Sequence, residues 1–154
     1  MIYSTTTQHA LRALIHLALL EGERPVLVRD IAAAENVPKQ FLSKILHTLR
    51  KRGLVESTKG PGGGFVLARP RQTICINEVI EAIDGPMRLE ATCILGLEEC
   101  SDTASCALHH AWKQFREEYV KSLTLLTLDD LVETLKRKAA ADRGRRPKVR
   151  ASKK

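Results

Sequence analysis

Aromatic residues are scarce in this chain of 154: one tryptophan, two tyrosines and three phenylalanines, 4% of the total. That scarcity favours a helical interior rich in leucine and alanine over a β-sandwich. Long apolar runs are missing too. "ALIHLALL" is broken by His16, and no basic stretch precedes an uninterrupted apolar one. The sequence therefore predicts neither a secretion signal nor a membrane span, and a cytoplasmic location where thiols stay reduced. Cysteine is also rare, at four residues, which together with that location disfavours a disulfide framework. The length admits one domain, or one small domain with an extension.

What is present is basic charge, unevenly placed. The net charge of +7 resolves into −1 over residues 1–37, +7 over 38–72, −5 over 73–140 and +6 over 141–154. The last stretch, "ADRGRRPKVRASKK", has Gly144 and Pro147 and little that is apolar. It reads as a basic disordered tail, serving either as a solubilising extension or as a nonspecific phosphate-binding arm.

The segment before residue 72 has helical periodicity. "TQHALRALIHLALLEG" sets Ala10, Leu11, Leu14, Leu17, Ala18 and Leu20 on one wide apolar face that ends at Gly22. "VRDIAAAENV" predicts a second, short helix around Ile31 and Ala32. "PKQFLSKILHTLRKRG" predicts a third, with Pro38 at its first turn and Gly53 as its cap after Arg50, Lys51 and Arg52. Phe41, Leu42, Ile45, Leu46 and Leu49 form its inward stripe. Lys39, Gln40, Ser43, Lys44 and His47 form an outward face of hydrogen-bonding groups.

Two β-like runs follow, Leu54–Thr58 and Phe65–Ala68, around the glycine-rich turn "KGPGGG". Two short helices joined by a tight turn, the second basic, then a hairpin: this order is a winged helix-turn-helix over residues 1–72. In that arrangement the second helix enters the DNA major groove while the hairpin lies along the backbone or minor groove. Lys59, Gly60, Pro61, Gly62 and Arg69 are the wing residues expected near phosphate. The glycine-rich loop lacks a Gly-Lys-Ser/Thr ending and a following helix start, so nucleotide binding fails.

After the wing, "CINEVIEAIDGP" predicts a fourth short helix with Val79, Ile80 and Ile83 inward, and Cys75 reads as a small buried hydrophobe among isoleucines. Residues 93–110, "CILGLEECSDTASCALHH", then gather three of the four cysteines and two of the five histidines, with Glu98, Glu99, Ser101 and Asp102 between them. A long helix is expected from Cys106 onward, with Leu108, Ala111, Trp112, Phe115, Tyr119 and Leu123 as an apolar stripe facing a second subunit. On that helix His109 follows Cys106 at i+3 and shares its face. Cys93 and Cys100 reach the same point from a loop containing Gly96. Three thiolates and an imidazole suit zinc or an iron–sulfur cluster. The absence of Cys-x-x-Cys knuckles favours the larger cluster. For the fourth ligand His109 is preferred over His9, Gln8 and His110. A last helix, "TLDDLVETLKRKAA", follows with Thr127 as its cap. The fold expected is mainly α, a winged helix-turn-helix plus a long C-terminal dimerisation helix and a cysteine-bearing loop over 73–140.

"HALRAL", "IAAAENVPKQFLSKILHTLRKRGLVESTKGPGGGFVLARP", "INEVIEAIDG" and the set Cys93, Cys100, Cys106 together resemble the Rrf-two family of bacterial winged-helix regulators, which includes IscR-like and NsrR-like repressors. The resemblance spans roughly residues 1–135. It implies a homodimeric, non-enzymatic transcription factor on double-stranded operator DNA, carrying a 2Fe-2S or 4Fe-4S cluster on those three cysteines. The cluster would sense iron–sulfur status, nitric oxide or redox state. Some members place a carboxylate near the start of the first helix to reach the partner's cluster; here that region reads Gln8-His9. Two rivals stand beside this reading. One is a zinc-stabilised DNA binder with no sensing role. The other is a thiol enzyme using Cys106 with His109 or His110, for which no orienting residue or oxyanion motif is visible.

Overall fold

The structure, a computed structural model, describes residues 3–20, 24–86, 93–97 and 100–145. The expected helix stop at Gly22, the acidic pair Glu98 and Glu99, and the tail from residue 146 lie outside the described residues. Six α-helices and one hairpin follow in order: α1 (Thr5–Leu19), α2 (Val28–Ala34), α3 (Lys39–Lys51), β1 (Val55–Thr58), β2 (Gly64–Leu67), α4 (Ile76–Asp84), α5 (His109–Leu125) and α6 (Leu128–Arg145).

α1 begins at Ser4, whose hydroxyl accepts the Thr7 N–H at 3.1 Å and satisfies an otherwise orphaned donor. The Asp84 carboxylate accepts both the Ser4 N–H at 2.8 Å and the Ser4 hydroxyl at 2.5 Å, fastening the start of α1 to the end of α4. The turn between α2 and α3 is made by Asn36 at φ 52°, with the Val37 N–H returning to the Ala32 carbonyl at 3.0 Å. Asparagine tolerates this left-handed geometry better than other side-chain-bearing residues. α3 closes on Gly53 at φ 68°, where the Leu54 N–H reaches back to the Leu49 carbonyl at 3.0 Å.

The core is a single cluster. Leu14 of α1, Ile31 of α2, Leu42, Leu46 and Leu49 of α3, Val79 and Ile80 of α4, and Leu128 and Val132 of α6 are all fully buried in it. Each contributes about 1.5–3 kcal/mol on removal from water. The interior therefore runs unbroken across residue 72. Arg71 reinforces the join: its guanidinium lies 2.6 Å from Asp129 and 3.5 Å from Glu133 of α6, and donates to the Ala18 carbonyl of α1. The linker before α6 also pairs with the segment ahead of α4, through Ile76 N–H to Leu126 O and Leu128 N–H to Ile74 O.

Two boundaries differ from the sequence reading. α5 starts at His109, not at Cys106: the Cys106 N–H meets the Cys100 sulfur at 3.1 Å, and the His109 N–H returns to the Cys106 carbonyl at 3.1 Å in a separate turn ahead of the helix. The last helix extends to Arg145, through the helix-favouring Ala139, Ala140 and Ala141, past the expected break at 140. Thr127 and Asp130 cap it reciprocally, as the sequence suggests. Among the described residues, no helix is long and apolar enough to cross a membrane.

Candidate functional site

The first candidate surface is the helix-turn-helix with its wing. Burial of Leu42, Ile45, Leu46 and Leu49 turns Lys39, Gln40, Lys44 and His47 outward, all exposed. Ser43 sits beside them, but its hydroxyl donates to the Lys39 carbonyl of its own helix at 2.8 Å. α3 is tied to the wing where Arg50 donates to the Ser57 hydroxyl at 3.0 Å.

β1 and β2 pair antiparallel with Val55 opposite Leu67 and Thr58 opposite Gly64. Val26 adds a bridge on the other edge, exchanging both backbone hydrogen bonds with Phe65. This explains the glycine run more closely than flexibility does. A Cβ on Gly63 would lie 2.2 Å from the Thr58 carbonyl oxygen, and one on Gly64 would lie 2.5 Å from that of Val26. Neither backbone can retreat, so both positions require glycine. Lys59, Gly60, Pro61 and Gly62 form the exposed tip.

Arg29 of α2, Lys39 of α3 and Lys59 of the wing line one open basin of about 400 Å³ that also carries the Ser57 and Thr58 hydroxyl side chains. Three cations with no acid in the lining suit a phosphate, with Arg29 also paired to Asp30 at 3.3 Å beside the basin. Arg29 was not among the residues singled out from sequence. Its signal was a cation in a helix's first turn, where acids are usual. Arg69, expected at phosphate, is directed elsewhere: it donates to the Thr73 carbonyl at 2.6 Å and pairs with Glu78 of α4.

The second candidate site is the thiol loop. Cys93, Cys100 and Cys106 bring their sulfurs within 4.8 Å of one another, with Cys93 buried and the other two half-buried. Cys93 Sγ lies 3.7 Å from Cys106 Sγ. Two turns hold the loop in this shape. Gly96, at φ 69°, donates to the Cys93 carbonyl at 3.0 Å, and Ser101 and Ala104 exchange backbone bonds at 3.2 and 3.3 Å.

The backbone N–H of Leu95, with that of Leu97, favours the thiolate of Cys93 and holds its pKa below the ordinary thiol value against the opposing effect of burial. At Cys100 the Cys106 N–H acts in the same direction, but burial and the neighbouring thiols of Cys106 and Cys93 outweigh it, and that pKa is raised.

His109 does not join this group. Its Nε2 lies 2.9 Å from Asp102 Oδ1, and Lys113 donates to the same carboxylate at 2.8 and 3.1 Å. Lys113 foremost, then His109, pulls the Asp102 pKa down to about 2. The i+3 argument fails because Cys106 is not on the helix. His9 packs its ring edge-on to Phe41 with centroids 5.5 Å apart, and its Nδ1 is buried without a hydrogen-bond partner. Cys75 stands apart, at the cap of α4.

A winged helix-turn-helix with a basic recognition face, followed by a three-thiol loop, defines a class of thiol-bearing DNA-binding regulators. Comparison with known proteins narrows the class. The Rrf2 family, described as an iron-dependent transcriptional regulator, matches residues 3–134. The chain belongs to that family and is a transcriptional regulator. It is 39% identical over 134 residues to an HTH-type transcriptional regulator of Aquifex aeolicus, covering 86% of this chain and 92% of the relative. It is 33% identical over 136 residues to the HTH-type transcriptional regulator IscR of Pectobacterium atrosepticum, covering 88% and 82%. Among solved structures it is similar to CymR, the global cysteine regulator of B. subtilis, with TM-score 0.74, 28% identity and coverage of 87% and 98%. It is also similar to T. potens IscR, with TM-score 0.69, 25% identity and 88% of each chain covered.

Proposed function

We propose that the chain is a cytoplasmic, homodimeric repressor whose affinity for double-stranded operator DNA is set by an iron–sulfur cluster on Cys93, Cys100 and Cys106. The convergence of three sulfurs within 4.8 Å, in a chain related to IscR proteins, is the observation that carries this reading. Thiolates are the ligands such clusters take, and the loop supplies three at once. The cluster, of the 2Fe-2S or 4Fe-4S type, would supply sensitivity to iron–sulfur status, nitric oxide or redox state. His109 is the proposed fourth ligand, either by parting from Asp102 or through its other ring nitrogen.

The protein's own part is mechanical. The thiol loop runs directly into α5, whose Trp112, Phe115 and Tyr119 rings stack in a ladder with centroids 5.6 and 5.8 Å apart. Phe115 and Leu125 are 48% and 71% exposed on that helix, and only Leu123 is buried. Such a face is proposed to cover its counterpart in a two-fold dimer, which sets the spacing of the two α3 helices on adjacent major-groove sites. Order in the loop then biases α5, and α5 biases DNA-competent spacing. A coupling of about 1–3 kcal/mol would change occupancy about five- to 150-fold.

The zinc reading retains one observation in its favour. Two thiolates at about 2.3 Å from a single tetrahedral ion lie about 3.8 Å apart, close to the 3.7 Å between Cys93 and Cys106. Iron and acid-labile sulfide analysis of anaerobically purified protein separates the two. Iron with matching sulfide supports the sensor. Zinc without sulfide overturns it.

A further inference from the structure

We propose that the cluster-free protein is also a receptor for trivalent arsenic, taken as arsenous acid and held by Cys93, Cys100 and Cys106 in a three-coordinate site. This inference rests on the same thiol set as the proposed function but not on any cluster.

Ligand number comes first. Among the described residues, the structure gathers three sulfurs and no fourth cysteine, histidine or carboxylate with them. The nearest candidate in sequence, His109, has its Nε2 on Asp102, and Lys113 holds that carboxylate from its other side. A tetrahedral divalent ion here would complete its shell with a protein ligand only by recruiting His109 from outside the group. An atom that prefers three sulfurs, and completes its shell with a lone pair, lacks nothing.

Charge points the same way. Three thiolates around a divalent ion keep one net negative charge, in a segment, residues 73–140, that already carries −5. Three thiolates around a trivalent atom are neutral, which suits a site whose first cysteine, Cys93, is only 6% exposed. Thiolates are soft ligands and arsenic(III) is a soft acceptor.

Preorganisation is the third argument. The Ser101–Ala104 turn and the Cys106 N–H on the Cys100 sulfur set two donors together before anything binds, and the turn at Gly96 shapes the chain after the third, whose Sγ lies 3.7 Å from that of Cys106. The ordering cost of closing three bonds from one loop is then largely met in the folded state. Cys100 and Cys106 remain half-open to solvent, which leaves an entry path.

The chemistry balances without an oxidant or reductant. Three S–H bonds and three As–O bonds break, three As–S bonds form, and each released hydroxyl leaves as water with one thiol proton. Arsenic stays trivalent and each sulfur keeps its oxidation state. Because the product uses all three sulfurs, arsenic and a cluster exclude one another.

The test uses the full-length, reduced, metal-free chain with arsenous acid, read by native mass spectrometry and by titration of the remaining thiols. The expected result is one arsenic per chain with a single thiol, Cys75, left reactive. Cys75→Ala should bind equally and leave none. Cys100→Ala, on a loop outside the main core, should weaken binding at least about tenfold, since the third sulfur acts at high effective concentration. Circular dichroism shows whether that variant keeps its helices. No bound arsenic at stoichiometric concentration, or capture unaffected by Cys100→Ala, overturns the proposal. Its fate is separable from that of the sensor reading: arsenic binding by a protein that never yields iron with sulfide sinks the latter alone, and a cluster protein indifferent to arsenic sinks the former alone.

Discussion

Asp84 shows how much one carboxylate can organise. It accepts two hydrogen bonds from Ser4, while Ser4 caps α1 through Thr7. Burial opposes its charge, but the Ser4 hydroxyl and N–H outweigh that and lower its pKa below the usual carboxylate value. A depressed folded pKa means the contribution is full above about pH 3.9 and is lost as pH falls through the folded value. Asp84→Asn should therefore flatten the acid limb of the stability curve, by less than about 1 kcal/mol given the exposure of the pair. Ser4→Ala, which removes the cap as well, should cost about 1 kcal/mol at neutral pH by thermal melts. Equal acid limbs for Asp84→Asn and the parent would refute this account. Residues of this kind were hard to read in advance. Cys93, Cys100 and Cys106 announced themselves by chemical type and spacing alone. Arg69 did not, because its direction is decided by Glu78, nine residues on, and a sequence shows only that an arginine is near the wing. The i+3 spacing puts His109 beside Cys106 only where both are helical, and nothing in it reveals that α5 starts at His109 with its Nε2 on Asp102.

At the scale of elements, the recognition helix and wing were legible because their signals are local. A stripe at i, i+1, i+4, i+5 and i+8 can only bury one side of a helix, and α3 buries it. From that face follows a prediction about DNA. Gln40→Ala, if Gln40 reads a base edge, should cost about 1–3 kcal/mol on operator and little on random sequence. Lys59→Ala and Arg29→Ala, at the basin, should weaken both and reduce the salt slope by about one unit each. Fluorescence anisotropy across a salt series checks all three, and unchanged operator affinity for Gln40→Ala would remove α3 from the groove. The wing carries its own test. Gly64→Ala places a methyl against the Val26 backbone and should loosen the hairpin, whereas Gly62→Ala, with nothing within 4 Å, should cost only about 1 kcal/mol for its left-handed backbone. Hydrogen exchange at the Val26 and Phe65 amides distinguishes the two. Turn glycines are legible in the run itself, but their steric duty is not: Gly63 meets the Thr58 carbonyl across the turn, and Gly64 meets Val26, a bridge residue nearly forty positions earlier.

For the whole molecule, the partly exposed ladder on α5 and the buried seam of α6 make opposite demands. Phe115→Asp should disrupt a dimer without unfolding the chain, giving a monomer by sedimentation that retains its melting cooperativity and binds half-sites weakly. A dimer of unaltered strength would move the interface elsewhere. Leu128→Ala should do the reverse. It opens a cavity beneath α1 and should cost about 2–5 kcal/mol, lowering DNA binding through loss of fold although it lies far along the chain from α3.

The Leu128 and Val132 seam also has a consequence for how the protein comes into being. A ribosome delivers the recognition helix and wing long before the two side chains that complete their interior. Until residue 132 has left the exit tunnel, the emerging first half keeps an uncovered apolar groove along α1 and cannot settle. DNA-binding competence should thus be withheld until residue 132 has emerged. A product truncated before Leu128 should keep all of α3 and the wing and still fail to fold cooperatively, which thermal melts of residues 1–127 would check.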